Sequence, residues 1–346
     1  MTTKIANGIS NNPDTVLATK EALTKALNSI DNQTPDLVLI FSSTIYDLDL
    51  VLKTVKEVSK SENIVGASSS GEFTQEKAIT SGIAITVIKS DSMIFEIDKA
   101  NNFKNRYEEV AEQCFSSFKD DSKKMLQNGF RFPTVLILSD GLVMSRGEEL
   151  IKAVYAKTGI LSQFAGGGAG DDGKFKETKV LFKDEAVSGA VVFVKIFSKE
   201  KIGLGVAHGM EKCSKQMKVT KSEDGLLYEL DGRPAFDVYK DYAKDSFDIE
   251  LDISNTGDFF INNELAIQDL TFSKVRSPMF SNPDGSLVMA AEVPQGSPVT
   301  IVTAKTETLL KAARVAAEEA KKNQVPPIAV EQKVGWYVDH IIRLTM

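Results

Sequence analysis

The chain states one pattern twice. Residues 36–97 run from an apolar segment ending in FSST (41–44) through an amphipathic stretch to NIVGASSSGEF (63–73), then two β-rich segments, SGIAITVIK (81–89) and MIFEI (93–97). Residues 133–206 repeat that order: TVLILSDG (134–141), an amphipathic stretch, QFAGGGAGDDGKF (163–175), SGAVVFVKIFS (188–198) and KIGLGV (201–206). An echo of this length implies two copies of one supersecondary unit rather than a solenoid of short repeats. It also sets two small-residue loops, 66–72 and 166–172, in corresponding places, where a paired fold would put a shared pocket.

Each copy reads as strand, helix, strand. The segments 37–41 and 135–138 are continuous apolar runs, the pattern of strands buried on both faces. Residues 48–58 carry a helical stripe of Leu48, Val51, Leu52, Val55 and Val58, and further helices are predicted over 107–118 and 148–155. Asn12-Pro13-Asp14 predicts a helix start with Asn12 as cap, leading into Val16, Leu17, Leu23, Ala26 and Leu27. Strands at 82–88, 93–97, 177–183 and 189–197 are joined by short polar turns, which force antiparallel pairing, whereas strand–helix–strand steps favour parallel neighbours. The expected class is therefore α/β (mixed α+β), two tandem strand–helix–strand units with mixed sheets flanked by helices. The 346 residues suit two domains. We place the larger at 1–224, containing the repeat, and a smaller α/β domain at 225–346, with 245 as the alternative boundary.

Charge and composition exclude several classes. A net charge of −7 without a basic stripe argues against nucleic acid as a partner. No apolar run is long enough for a membrane span, and MTTKIANGIS is no signal peptide. Cys114 and Cys213 lack metal or redox spacing, so a reducing cytoplasm is the expected location.

The loops carry the candidate chemistry. Ser68, Ser69 and Ser70 supply hydroxyls directly after a strand, with Glu72 close behind, and such loops can turn backbone N–H groups toward an anion or a zwitterion. Gly166, Gly167 and Gly168 permit close approach of chain and ligand, and Asp171 and Asp172 follow. Residues 168–173 formally match G-x-G-x-x-G, but acids fill the turn and a strand follows, so an ammonium suits the loop better than a phosphate. A tight turn built of Gly and Ser for backbone crowding alone is the alternative. His208, between Gly205 and Gly209 at the end of a predicted strand, is either a hydrogen-bonded structural residue or an axial ligand to haem iron. No catalytic triad order, zinc spacing or phosphate loop occurs, so an enzyme is not expected.

Seven segments taken in order resemble a FIST protein: the FSST strand, VGASSSGEF, GGGAGDD, VSGAVVFV, GVAHGM, VTKSEDGLLYELDGRPAFDVY (219–239) and VPQGSPVTI (293–301). The resemblance covers the FIST N-terminal domain nearly whole and part of the FIST C-terminal domain. It implies a signal-sensing module that binds a small molecule, amino acids among the candidates, and works with a histidine kinase or other signalling protein. A subset of the family resembles haem-binding nitric oxide sensors. No effector segment is recognisable here, so output is expected to pass to a separate protein. The chain departs from the family after the Ala-rich helix over 307–322: residues 323–346 lack the expected strand with Cys and Arg and the Gly- and Glu-rich ending. The second domain therefore looks shortened, and His340 is given no role. Three readings stay open: a metabolite sensor using the 66–72 and 166–172 loops, a haem sensor using His208, and a hydrolase.

Overall fold

The computed structural model describes residues 2–143, 147–268 and 273–324. They form two compact units, one built mainly from residues before 205 together with 319–324, the other from 205–318. The hairpin of Met217–Glu223 and Leu226–Leu230 belongs to the second unit's sheet.

The first unit contains β1 (Thr3–Ser10), α1 (Thr15–Asn28), β2 (Leu37–Ser43), α2 (Leu48–Ser59), β3 (Ile64–Ser69), the short β4 (Glu72–Phe73) and β5 (Ala78–Ile79), and β6 (Ile83–Ser90). It continues with β7 (Met93–Asn101), α3 (Tyr107–Phe115), α4 (Phe118–Gln127), β8 (Phe132–Ser139), α5 (Gly147–Thr158), β9 (Gln163–Gly168), β10 (Val180–Phe182), β11 (Glu185–Val187) and β12 (Ala190–Ser198). One sheet has the order β1-β6-β2-β3-β10-β11, the other β7-β12-β8-β9. Four strands of each correspond one for one. β2–β3 and β8–β9 are the parallel pairs, and the other pairs are antiparallel. The mixed α/β class read from the sequence is therefore the observed one.

The repeat is phased differently from its reading in sequence. Residues 93–97, read as closing the first copy, belong to β7, which opens the second and pairs with β12. Residues 201–206, read as a strand, lie outside any strand. Period-two alternation says that a segment is extended but not which sheet receives it, and the chain changes sheets in the short link between β6 and β7.

Alternate residues explain the apolar runs. Leu37 and Leu39 of β2 face Leu136 and Leu138 of β8 in a layer between the sheets, joined by Val65, Val192 and Val194. Val38 and Ile40 point the other way, onto α1 and α2. Val135 and Ile137 point onto α3, α4 and α5. The result is four layers: helices, sheet, sheet, helices.

Helix starts sit where a carboxylate can cap them. Asp14, not Asn12, caps α1 by accepting from the Leu17 amide at 2.8 Å. The buried stripe is consequently Ala18, Thr19, Ala22, Leu23, Ala26 and Leu27, while Leu17 is 52% exposed. Asp47 caps α2 likewise, and Leu48, Val51, Leu52 and Val55 are buried as read, with Val58 left at the surface. The helix expected over 107–118 is two helices meeting at residues 116–117.

Among the described residues the second unit's sheet has nine strands, with Pro298–Ala304 between Asn263–Gln268 and Met217–Glu223. The helix Ala235–Phe247, starting directly after Pro234, packs Phe236, Tyr239 and Ala243 against Val219, Leu230, Phe260 and Leu265. Among the described residues no helix is long and apolar enough to cross a membrane.

Gly66 and Gly166 occupy matching positions, opposite Ile40 and Ile137. A Cβ at either would lie 2.0 Å from the opposing carbonyl oxygen, far inside contact distance. We expect Gly66→Ala and Gly166→Ala each to cost about 2 kcal/mol or more in urea denaturation. Gly257→Ala, with nothing near its Cβ, serves as the neutral control.

Candidate functional site

The carboxyl ends of β2 and β3 carry Ser42, Ser43 and Thr44 beside residues 68–72, and the loop after β9 reaches across to them. The Gly170 amide donates to the Ser68 carbonyl at 2.9 Å, and the Asp172 amide to that of Ser69 at 3.2 Å. The backbones are close enough at Gly170 that a Cβ there would lie 3.1 Å from the Ser70 amide nitrogen and 3.2 Å from the Ser69 carbonyl carbon. The two loops singled out in the sequence are thus held together by backbone hydrogen bonds.

Most of their polar side chains are spent on holding the loops. Ser68 Oγ accepts from the Lys179 amide at 2.9 Å. Ser69 Oγ donates to Glu72 at 2.7 Å, and the other Glu72 oxygen accepts from the Gly82 amide at 2.7 Å. Burial nevertheless dominates at Glu72 and pushes its carboxyl up to about 7, against the effect of those two bonds. Asp171 is buried and accepts from the amides of Phe175, Lys176 and Glu177 at 2.8, 2.6 and 3.2 Å, so it organises the turn that follows. Asp140 does the same for its surroundings, accepting from Thr178 Oγ1 and from the Leu142 and Gly189 amides. Ser70 is exposed, and Gly166–Gly168 end β9.

Asp172 bridges the copies. Its Oδ2 accepts from the Thr44 amide at 3.0 Å and from Thr44 Oγ1 at 2.5 Å, and Lys174 Nζ reaches both that oxygen (3.4 Å) and Thr44 Oγ1 (2.9 Å). Burial opposes ionisation of Asp172, but the hydrogen bonds from Thr44, Ser43 and Lys174 outweigh it and hold the carboxyl below its ordinary value.

Outside this lattice lies a cleft of about 350 Å³. One wall is the turn over residues 44–47 and the first residues of α2, bringing Thr44, Tyr46 and Asp49. The other is the turn that Asp171 organises, bringing Lys174, Lys176, Glu177 and Lys179. Asp49 meets the Ala186 amide at 3.3 Å, and Glu177 lies 3.7 Å from Lys179. Sequence reading passed over residues 45–49 and 174–179. The one available signal was GDDGKF, whose lysine follows the two acids.

His208 belongs to the second unit and lies in a strand-free segment, half-buried, with burial lowering its pKa. Its Nδ1 accepts from the Met210 amide at 3.0 Å, so the neutral ring carries its proton on Nε2. An axial iron ligand needs the reverse, a lone pair at the coordinating nitrogen and a proton donated from the other. As placed, His208 does not fit that role. Cys213 accepts from Tyr242 Oη at 2.9 Å and donates to the Ile301 carbonyl, and burial raises its thiol pKa. No cluster of three metal-ligating side chains occurs among the described residues. His340 lies outside them.

Comparison with known families agrees with the architecture. The FIST N domain matches residues 36–233 and the FIST C domain residues 235–344. The chain belongs to the FIST family. FIST domains are sensory domains of signal transduction. An uncharacterised protein of Methanocaldococcus jannaschii is similar at 23% identity over 315 residues, covering 86% of this FIST chain and 60% of that protein. The chain therefore spans less than two thirds of that relative's length. A cyanuric acid hydrolase structure from A. caulinodans aligns with 57% of this chain and 71% of its own at 10% identity, with a TM-score of 0.27; a likeness at that level carries no argument.

Two outcomes follow from this geometry. A buried acid whose pKa is raised stabilises the fold while protonated, so the Glu72 contribution is full below pH 4.5 and is lost as pH rises through about 7. Denaturation across that window should show stability falling with pH, less steeply in Glu72→Gln; Glu264, also pushed up to about 7 by burial, leaves a residual slope. For His208, the visible spectrum after one equivalent of haem should be the same in wild type and His208→Ala; a Soret band lost in the variant would contradict the ring placement.

Proposed function

We propose that this FIST protein senses a small zwitterion, an amino acid or closely related metabolite, bound in the cleft beyond the carboxyl end of β2. The observation that carries the reading is the lining: the ammonium groups of Lys174, Lys176 and Lys179 and the carboxylates of Asp47, Asp49, Asp171 and Glu177 share one concavity, with Asp47 and Asp49 on the wall opposite the lysines. Open α/β sheets bind ligands beyond the carboxyl ends of their strands. A ligand carboxylate would take charge-assisted hydrogen bonds from Lys174 and Lys176, and its ammonium would face Asp49 or Glu177, so that both charges fix orientation as well as affinity.

The same cleft supplies a route for output. Lys174 holds Thr44 through the Asp172 bridge. A ligand carboxylate that draws Lys174 away loosens the turn over residues 44–47 and the start of α2. Differential affinity for the held and released turn would shift their populations and alter the surface offered to a separate partner, such as a histidine kinase. Binding is favoured over turnover, because Ser69 and Glu72 are 1% and 2% exposed and out of a substrate's reach. The Thr44 hydroxyl is held by Asp172 and Lys174, and no histidine among the described residues lies beside it to act as base.

Thermal unfolding of the purified protein against the standard amino acids and their close metabolites tests this. One of them should raise Tm saturably, and Lys176→Ala should weaken its binding by about tenfold or more in calorimetry. If no such compound shifts Tm, or the shift survives Lys174→Ala combined with Lys176→Ala, the cleft is not the site.

A further inference from the structure

Glu72 is a buried titratable group that ligand binding in the cleft leaves unused. Its carboxyl, at the start of β4, has one donor on each oxygen: Ser69 Oγ at 2.7 Å and the Gly82 amide at 2.7 Å. The amide can only donate. A proton on Glu72 must therefore sit on the oxygen that faces Ser69, whose hydroxyl can turn from donor to acceptor. Both protonation states fit the same place, so Glu72 can change charge without its loop unfolding.

Ser69 joins Glu72 to the wall of the cleft. Its hydroxyl meets Glu72, while its carbonyl accepts from the Asp172 amide at 3.2 Å. Asp172 in turn holds Thr44 and is reached by Lys174 Nζ at 3.4 Å. Carboxyl, carboxylate and ammonium thus stand in series. The other titratable group acting on Glu72 is Tyr46, in the turn before α2, whose hydroxyl donates to the Asn12 carbonyl at 2.9 Å. Glu76 and Lys77, between β4 and β5, are exposed, and Glu76 pairs with Lys25; Glu21 of α1 is taken up by Ser10 and Asn12.

Two acids linked in this way share their charge unequally. Burial first, and the Asp172 carboxylate after it, raise Glu72 to about 7. Asp172, despite its own burial, is kept below its ordinary value by its hydrogen bonds. We infer, resting on the cleft as the ligand site, that Glu72 is a proton-binding regulator of that site: when a ligand carboxylate draws Lys174 off Asp172, Glu72 takes up a proton from solvent. While Lys174 stays on Asp172, its ammonium offsets one of the two negative charges. Once it is drawn away, the two carboxylates flank Ser69 without that counter-charge, and protonation of Glu72 removes one of them. The coupling is reciprocal. Carboxylate binding therefore weakens as pH rises through the Glu72 midpoint, and the sensor reads ligand and pH together.

Carbon-13 NMR of the Glu72 side-chain carboxyl across pH, assigned with Glu72→Gln, tests this in the full chain with no ligand added. We expect a midpoint of about 7. Lys174→Gln removes the ammonium as a ligand would and should move the midpoint up, whereas Asp172→Asn should move it down, each by about half a pH unit or more. Both variants should fold, which circular dichroism checks. Lys174 is exposed, and residue 172 has φ +57°, a conformation that asparagine accepts readily while keeping an oxygen for Thr44. A midpoint in the ordinary carboxylate range, or one that either substitution leaves in place, overturns the inference. The Tm screen against amino acids is a separate readout, so failure of the cleft as ligand site and failure of this coupling are told apart.

Discussion

The apolar layer between the two sheets of the first unit, with Leu37, Leu39 and Val65 on one side and Leu136, Leu138, Val192 and Val194 on the other, makes each copy of the repeat dependent on its neighbour. A sheet with helices on one face alone would leave the other face in water. Burying one Leu or Val side chain contributes about 1.5–3 kcal/mol, whereas a surface pair such as Lys89–Asp36 is worth about 0–1 kcal/mol. The layer therefore outweighs the ion pairs that decorate the outside. Because it is shared, it also sets the loops of one copy beside those of the other.

That placement explains why the polar residues of the strand ends look inward. Two loops crossing at hydrogen-bond distance bury backbone and carboxylate groups, each of which must find a partner. Asp140 and Asp171 accept backbone amides, Asp172 takes Thr44, and Ser69 takes Glu72. Such carboxylates are positioning groups for the adjoining turns. The cleft is what remains outside them, and its charged lining faces solvent, held mostly by weaker contacts such as Asp49 to the Ala186 amide at 3.3 Å and Glu177 to Lys179 at 3.7 Å. Lys174 belongs to both sets, which is what couples the cleft to the turn before α2.

Much of the architecture was legible. Strands buried on both faces write continuous apolar runs, as in β2 and β8, and the stripe of α2 follows the helical period. Gly66 and Gly166 mark a real equivalence, each facing a carbonyl too close for any side chain. The errors are local. Asn12 and Asp14 are both good caps, and only packing of the alanine face of α1 against β1, where Ala22 crosses Gly8, selects the later start. Residues 93–97 were assigned to the wrong copy because extended segments look alike whichever sheet they enter. For the site, Ser68 to Glu72 and Gly166 to Asp172 could be named as meeting loops. The sequence held no sign that Thr44, Asp49 and the lysines at 174, 176 and 179 would share a concavity.

The sequence by itself determined the repeat, the mixed α/β class and the family, since each of these is written in periodicity or order along the chain. Tertiary structure alone decided which sheet receives β7, which carboxylates are consumed within the loops, and where charged residues of both signs face one another across open space. Those outcomes depend on contacts between residues more than a hundred positions apart, such as Thr44 with Asp172 and Ser68 with Lys179. Local pattern holds no information about such distances; the shared apolar layer supplies it.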